Sequence, residues 1–227
     1  MDVARVSLLA VDTDAVPSQP EWLSPAERAR ADQYITEQLR NRFIARRSAL
    51  RQFVGTQLRI DPSDVVPNYS CPDHGQGPEI DHGQPGFSLA GQPLDVVLSS
   101  SSRENLAVFA ISQRTVRLGL DVERIGAVSF EGFDASVLNG QELNTLLALP
   151  EAEQDAFRAR CWARKEALAK AWGTGLRIRP TEIDSNSAGL VDVSAQLLGL
   201  PTGYALALAV LEPGDTSRPK IDVGDEA

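Results

Sequence analysis

Five residues of this chain have types and spacings that could do chemistry together: Asp121, Glu123, Lys165, Glu166 and Lys170. The run Val116-Arg117-Leu118-Gly119-Leu120-Asp121-Val122-Glu123 alternates with period two and reads as a strand. On such a strand Val116, Leu118, Leu120 and Val122 share one face. Asp121 and Glu123 share the other, with Cα atoms about 6.5–7 Å apart. Two carboxylates about 5 Å apart, in an effective dielectric of about 20, repel by roughly 3 kcal/mol. A partly buried pair of that kind calls for a cation, and Mg²⁺ takes carboxylate oxygens while keeping positions for water and phosphate. The plainer reading of the tripeptide alone is a solvated outer face. Glu166 and Lys170, at i and i+4 on a helical segment with Trp162, would alone read as an ordinary helix-stabilising pair. Lysine usage adds weight to the functional reading. The lysines are Lys165, Lys170 and Lys220, every other basic residue being arginine apart from two histidines, and two of the three lie on one predicted helix.

The elements that must position these residues can be read along the chain. Met1 to Ala10 reads as an opening strand. Ser24-Pro25-Ala26-Glu27 is a helix start, with Ser as N-cap, Pro at the first helical position and Glu in the first turn. A helical pattern runs to about Leu58, broken at most once, and carries a basic island with Arg46 and Arg47 at its centre. Residues 61–93 shift to Pro, Gly, Asp and His and read as irregular connection. Strands are expected at 96–98 and 106–111 around a polar loop from Ser99 to Asn105. Helices are expected at about 140–149 and 152–172, the second ended by Gly173, and a last strand at 204–211. The order predicts an α+β fold of two similar lobes, a pseudo-dimer with the active site in the cleft between them. The N-terminal lobe would span 1–110 and the C-terminal lobe 111–211, with a disordered tail over 212–227.

Composition sets outer bounds. The chain has 227 residues and a net charge of −9, which argues against general attraction to nucleic acid or an anionic membrane. No stretch approaches the roughly 18 apolar residues of a span, the N-terminus lacks a leader pattern, and there are two cysteines. The expectation is a cytoplasmic protein for which a monomer suffices. Cys71-Pro72-Asp73-His74 with Asp81 and His82 raises zinc, but the spacing fits no usual finger and supplies one thiolate. A Pro/Gly loop tightened by polar side chains is the favoured reading there. No nucleotide-binding glycine loop and no nucleophile elbow is present.

Taken together, Leu118-Gly119-Leu120-Asp121-Val122-Glu123 and, some forty residues later, Trp162-Ala163-Arg164-Lys165-Glu166-Ala167-Leu168-Ala169-Lys170 resemble the 4′-phosphopantetheinyl transferases, with their G-x-D-x-E and W-x-x-K-E-x-x-x-K motifs. Gly173-Thr174-Gly175-Leu176 is similar to the family's trailing G-x-G-L, and the length matches the larger, Sfp-type subgroup. The resemblance implies transfer of the 4′-phosphopantetheine arm of coenzyme A to a serine of an acyl or peptidyl carrier protein of a fatty acid, polyketide or nonribosomal peptide system, releasing 3′,5′-ADP. By position it makes Asp121, Glu123 and Glu166 the Mg²⁺ ligands and Glu166 the general base. Lys165 and Lys170 would neutralise phosphate, Arg47 would meet the nucleotide 3′-phosphate, and Glu142 would be a further acid. Arg158, Arg160, Arg164, Arg177 or Arg179 would meet the carrier's acidic helix.

Two positions depart from the pattern. The family's G-K-P is His82-Gly83-Gln84-Pro85 here, and its S-H-S is Ser99-Ser100-Ser101. Gln84, Ser99, Ser100, Ser101 and Arg103 therefore line the expected coenzyme A contact without the usual lysine and histidine, each lost charged contact costing about 1.5–3 kcal/mol. Arg103 or His82 are the candidate substitutes. Three readings stay open at this level: a working enzyme with weak coenzyme A binding, a divergent member with an altered donor, and a non-catalytic carrier-binding relative.

Overall fold

The computed structural model describes residues 6–113, 116–215, 217 and 219. In chain order the elements are β1 (Val6–Asp12), α1 (Pro25–Ala31), α2 (Glu37–Leu58), β2 (Val65–Pro67), β3 (Tyr69–Cys71), β4 (Gly75–Gly77), β5 (Phe87–Leu89), β6 (Gln92–Pro93), β7 (Val97–Arg103) and β8 (Leu106–Ser112). Then follow β9 (Arg117–Arg124), α3 (Phe133–Val137), α4 (Gly140–Ala148), α5 (Glu151–Trp172), β10 (Leu190–Val193) and β11 (Tyr204–Leu211). The architecture is α+β with several small antiparallel sheets. Two compact units divide between residues 114 and 115. A boundary after residue 110 would cut β8, which is hydrogen-bonded along its whole length. The tail expected to be disordered lies largely outside the described residues, as do Met1 to Arg5 of the opening strand. Among the described residues no helix is long and apolar enough to cross a membrane.

The first unit contains the antiparallel sheet β1–β8–β7. Ser24 caps α1 by accepting from the Glu27 amide while Glu27 reaches back to the Ser24 amide, the reciprocal box expected from that tetrapeptide. The chain then turns, and Thr36 caps α2. Glu27 does more than cap. Fully buried, it receives Arg51 at 2.6 Å and Arg47 at 3.5 Å, so part of the basic island is an internal ion-pair network. Leu50, Phe53 and Val54 of α2 pack on Leu98, Phe109 and Ile111 of the sheet. The serine run is not a loop. Ser99, Ser100, Ser101 and Ser102 pair in register with Ala110, Phe109, Val108 and Ala107, and only Glu104 and Asn105 make the turn. The pairing partner overrides serine's weak strand preference.

The second unit contains β10–β11–β9, with β9 and β11 paired over eight residues. Ala207, Ala209 and Leu211 form one core with Ala163, Ala167, Leu168, Ala171 and Trp172 of α5. The unit also has a short helix, α3, that the sequence reading did not anticipate. Each unit taken by itself runs strand, 22-residue helix, strand, strand, with the sheet ordered first–last–middle.

Gly119 sets how closely α5 approaches β9. A Cβ there would lie 1.8 Å from the Ala167 carbonyl oxygen and 2.7 Å from the Ala171 amide nitrogen. Both obstacles are helix backbone, which cannot rotate away. Gly119→Ala is therefore expected to destabilise this unit by about 3 kcal/mol or more, above the common range for overpacking. Chemical denaturation checks it, and an unchanged midpoint would mean that the helix does not need this glycine.

Candidate functional site

The close packing at Gly119 delivers one flank of α5 onto the acidic face of β9. Asp121 stands opposite Ala207 and Glu123 opposite Ala205, so the neighbouring strand leaves room above both carboxylates. Neither acid is solvated: Asp121 is 3% and Glu123 8% exposed. Leu118, Leu120 and Val122 are buried as well, so the strand has no outer face of the kind the tripeptide alone suggested. From α5, Lys170 extends its ammonium to Asp121 Oδ1 at 2.7 Å and to the Leu120 carbonyl at 3.0 Å. Glu166 lies one turn earlier and is half-buried. Burial pushes its carboxyl up to about 7; Asp121 and Glu123 push in the same direction, and Lys170 only partly opposes them. Three acids and one lysine thus share a field that is too negative for Glu166 to ionise at its ordinary value.

These residues fit a hard divalent cation. The donors are all carboxylate oxygens, and the penalty on Glu166 is what a bound cation would remove. Among the described residues, the three donor atoms that all lie within 4.8 Å of one another are elsewhere, on Cys71, His74 and His82.

Lys165 does not join this group. It is 1% exposed and points inward, donating to the Val137 carbonyl at 2.7 Å and the Pro180 carbonyl at 2.9 Å, with Glu142 at 2.6 Å. The Lys165 ammonium is enclosed by protein oxygens, which favours a structural role over the phosphate-neutralising one expected from the motif. Glu142 is structural too: it completes the N-terminal box of α4 with Asn139 and accepts from the Ser185 amide. A sequence signal for this existed. Cys161, Leu168 and Trp172 are the core stripe of α5, and position 165 falls on it, four residues after Cys161. Trp162 packs edge-on to Phe133 at 6.3 Å.

Arg47, expected on a nucleotide phosphate, is 8% exposed and engaged by its own unit. It donates to the Tyr69 hydroxyl and the Asp81 carbonyl and lies over the rings of Phe43 and Tyr69. Its neighbour Arg46 is less enclosed. Half-buried, it donates to Ser102 Oγ, and burial first, then the charge of Arg47, lower its proton affinity. Gln84 is exposed, and its backbone pairs with Ser70. Ser100 falls on the face of β7 shared with Leu98 and Ser102, the one α2 covers. Ser99, Ser101 and Arg103 fall on the opposite face, so the four cannot line one surface. Arg158 pairs with Asp134, Arg160 and Arg164 with Asp192, and Arg179 with Glu182.

Comparison with known proteins says what this region is similar to. The 4′-phosphopantetheinyl transferase superfamily model matches residues 117–212, the stretch from the start of β9 to just past β11. That stretch of the chain is similar to the superfamily. A similar relative is the 4′-phosphopantetheinyl transferase HetI of Nostoc sp., 28% identical over 155 residues. The match covers 68% of this chain and 61% of the relative, so the chain spans about three fifths of that relative's length. The matched region holds Asp121, Glu123, Glu166 and Lys170, and also the Gly119 contact that packs the helix on the strand.

Proposed function

We propose that this chain transfers the 4′-phosphopantetheine arm of coenzyme A to a serine of an acyl or peptidyl carrier protein, with Mg²⁺ held by Asp121, Glu123 and Glu166. The observation that carries the proposal is the pair of buried acids on β9, Asp121 and Glu123, with Lys170 of α5 bonded to Asp121 and Glu166 one turn earlier on the same helix. Mg²⁺, when bound, offsets the negative charge of the pyrophosphate and of the acids around it. Lys170, with its side chain 28% exposed, keeps Asp121 oriented through Oδ1 and presents positive charge where the leaving phosphate becomes more negative. Glu166 takes the proton of the carrier serine, directly or through a water.

The protonation of Glu166 predicts how stability follows pH. Its folded-state value of about 7 lies above the ordinary 4.5, so the folded chain binds more protons between those limits. The associated stability is fully present below about 4.5 and is lost as pH rises through about 7, at most about 3 kcal/mol. Asp14, Asp61, Asp81, Asp134, Asp192 and Asp215 are shifted downward and work in the other direction, so the comparison must be with Glu166→Gln. In chelator, the melting temperature of wild type minus that of Glu166→Gln should fall across this window. Mg²⁺ should raise the wild-type value more at pH 7.5 than at pH 5. A difference that does not change with pH would remove the coupling.

The transfer itself is tested by incubating the purified chain with Mg²⁺, coenzyme A and an apo carrier protein and weighing the carrier intact. A gain of one phosphopantetheine arm supports the proposal. Tight carrier binding without a mass gain would replace it with a docking role.

A further inference from the structure

A second cluster, apart from the acids on β9, lies in the first unit. β3 and β4 form a hairpin in which Cys71 pairs with Gly75, and His74 stands in the turn between them. The chain then doubles back. The amide of Ser70 donates to the Gln84 carbonyl at 3.0 Å, and the Gln84 amide donates to the Ser70 carbonyl at 2.9 Å. Gly83 makes this possible: its φ is +88°, and a Cβ there would sit 2.3 Å from the Ser70 carbonyl oxygen. The backbone thereby puts position 82 beside position 71.

The side chains then converge. Cys71 Sγ is 3.4 Å from His74 Nδ1, His74 Nδ1 is 3.0 Å from His82 Nε2, and all three atoms lie within 4.8 Å of one another. The two imidazoles meet edge-on at 80°, so they are not stacked. His82 Nδ1 is 2.7 Å from Asp81 Oδ1, which leaves Nε2 to present its lone pair to the cluster. Asp81 is itself held, by Arg30 at 3.3 Å on its carboxylate and by Arg47 on its carbonyl. A tetrahedral ion with bonds of about 2.0–2.1 Å to nitrogen and 2.3 Å to sulfur has ligand–ligand edges of about 3.3–3.6 Å. The observed 3.0 and 3.4 Å lie close to such edges. One thiolate and two imidazoles are a set for zinc and a poor one for Mg²⁺ or Ca²⁺.

We propose that Cys71, His74 and His82 form a zinc site, with Asp81 orienting His82 and a fourth position left to water or another ligand. The sequence spacing fits no finger because the third ligand arrives by the fold-back at Gly83, not by a helix. The Asp73 amide and His74 lower the Cys71 thiol to about 7, which favours the thiolate a metal needs. The role is structural: zinc would tie the two ends of the irregular segment 71–82, which has only short strands of its own.

The test uses the full chain without a histidine tag, purified reduced from zinc-supplemented culture and exhaustively desalted. Elemental analysis should find about one zinc per chain. Cys71→Ser, His82→Ala and His74→Ala should each lose most of it, and Asp121→Ala should keep it. His74 is exposed, so that variant tests ligation even where a change at buried Cys71 harms folding. Cobalt added after zinc removal should give a thiolate-to-metal charge-transfer band that Cys71→Ser abolishes. Wild-type chain that holds neither zinc nor a thiolate-bound cobalt overturns the proposal, and so does zinc retained equally by all three variants.

Discussion

Asp121→Ala should lower the rate of arm transfer by about 10²–10³-fold without lowering the melting temperature of the protein. The two halves of that result have one cause. Asp121 is a buried acid beside two others, and its presence is part of what raises Glu166 to about 7. Removing it relieves repulsion in the folded state while Lys170 keeps its bond to the Leu120 carbonyl at 3.0 Å. A residue whose loss costs activity and leaves stability equal or higher is kept for chemistry, the usual trade at a functional site. The rate is read from carrier mass at fixed times and the stability from thermal unfolding in chelator. A variant that transfers at the wild-type rate, or that melts well below wild type, would contradict this account of Asp121.

Lys165→Ala should behave in the opposite way. Its ammonium occupies an interior site with Glu142 at 2.6 Å and two backbone carbonyls within 2.9 Å. Truncation leaves the Glu142 carboxylate buried without its cation, a loss of about 3–5 kcal/mol. The melting temperature should drop by about 10 °C or more. Activity should then fall only as far as the folded fraction does. The double variant Lys165→Met/Glu142→Gln separates a structural from a phosphate-binding lysine. Methionine fills the volume, and glutamine removes the buried charge while keeping an acceptor for one of the two amides, Asn139 and Ser185, that Glu142 serves. Recovery of both stability and transfer fits the interior role. A stable but inactive double variant would return Lys165 to the phosphate.

The contrast between these neighbours shows what the sequence made legible. Period-two alternation located β9 and placed Asp121 and Glu123 on one face of it. Helical spacing put Glu166 and Lys170 on one flank of α5, and the family motif joined the two elements. The direction in which that face looks was not legible. The apolar residues of β9 suggested an inward face and the acids an outward one, yet both are buried, because Gly119 lets the helix backbone settle directly above the acids. Adjacent charges at 165 and 166 looked equivalent in sequence, but a helix turns about 100° per residue and sends one to the core and the other to the acidic group.

Long-range pairing hid other features. The serine run has no apolar alternation, so only its register with β8 makes it a strand. The contacts of Arg47 with Glu27, Tyr69 and Asp81 were likewise not legible locally. The Cys71 and His82 positions meet through a fold-back that no local period announces.

The most direct test of the acidic site is to count divalent ions there. Mn²⁺, a stand-in for Mg²⁺ with a free-ion paramagnetic signal, is titrated with wild type, Asp121→Asn, Glu123→Gln and Glu166→Gln at pH 7.5. Loss of signal should report about one ion bound by wild type, and each substitution should weaken binding by at least about tenfold. Wild-type affinity in all three variants, or an effect at 121 and 123 that Glu166→Gln does not share, would show that the helix and the strand do not hold a common ion.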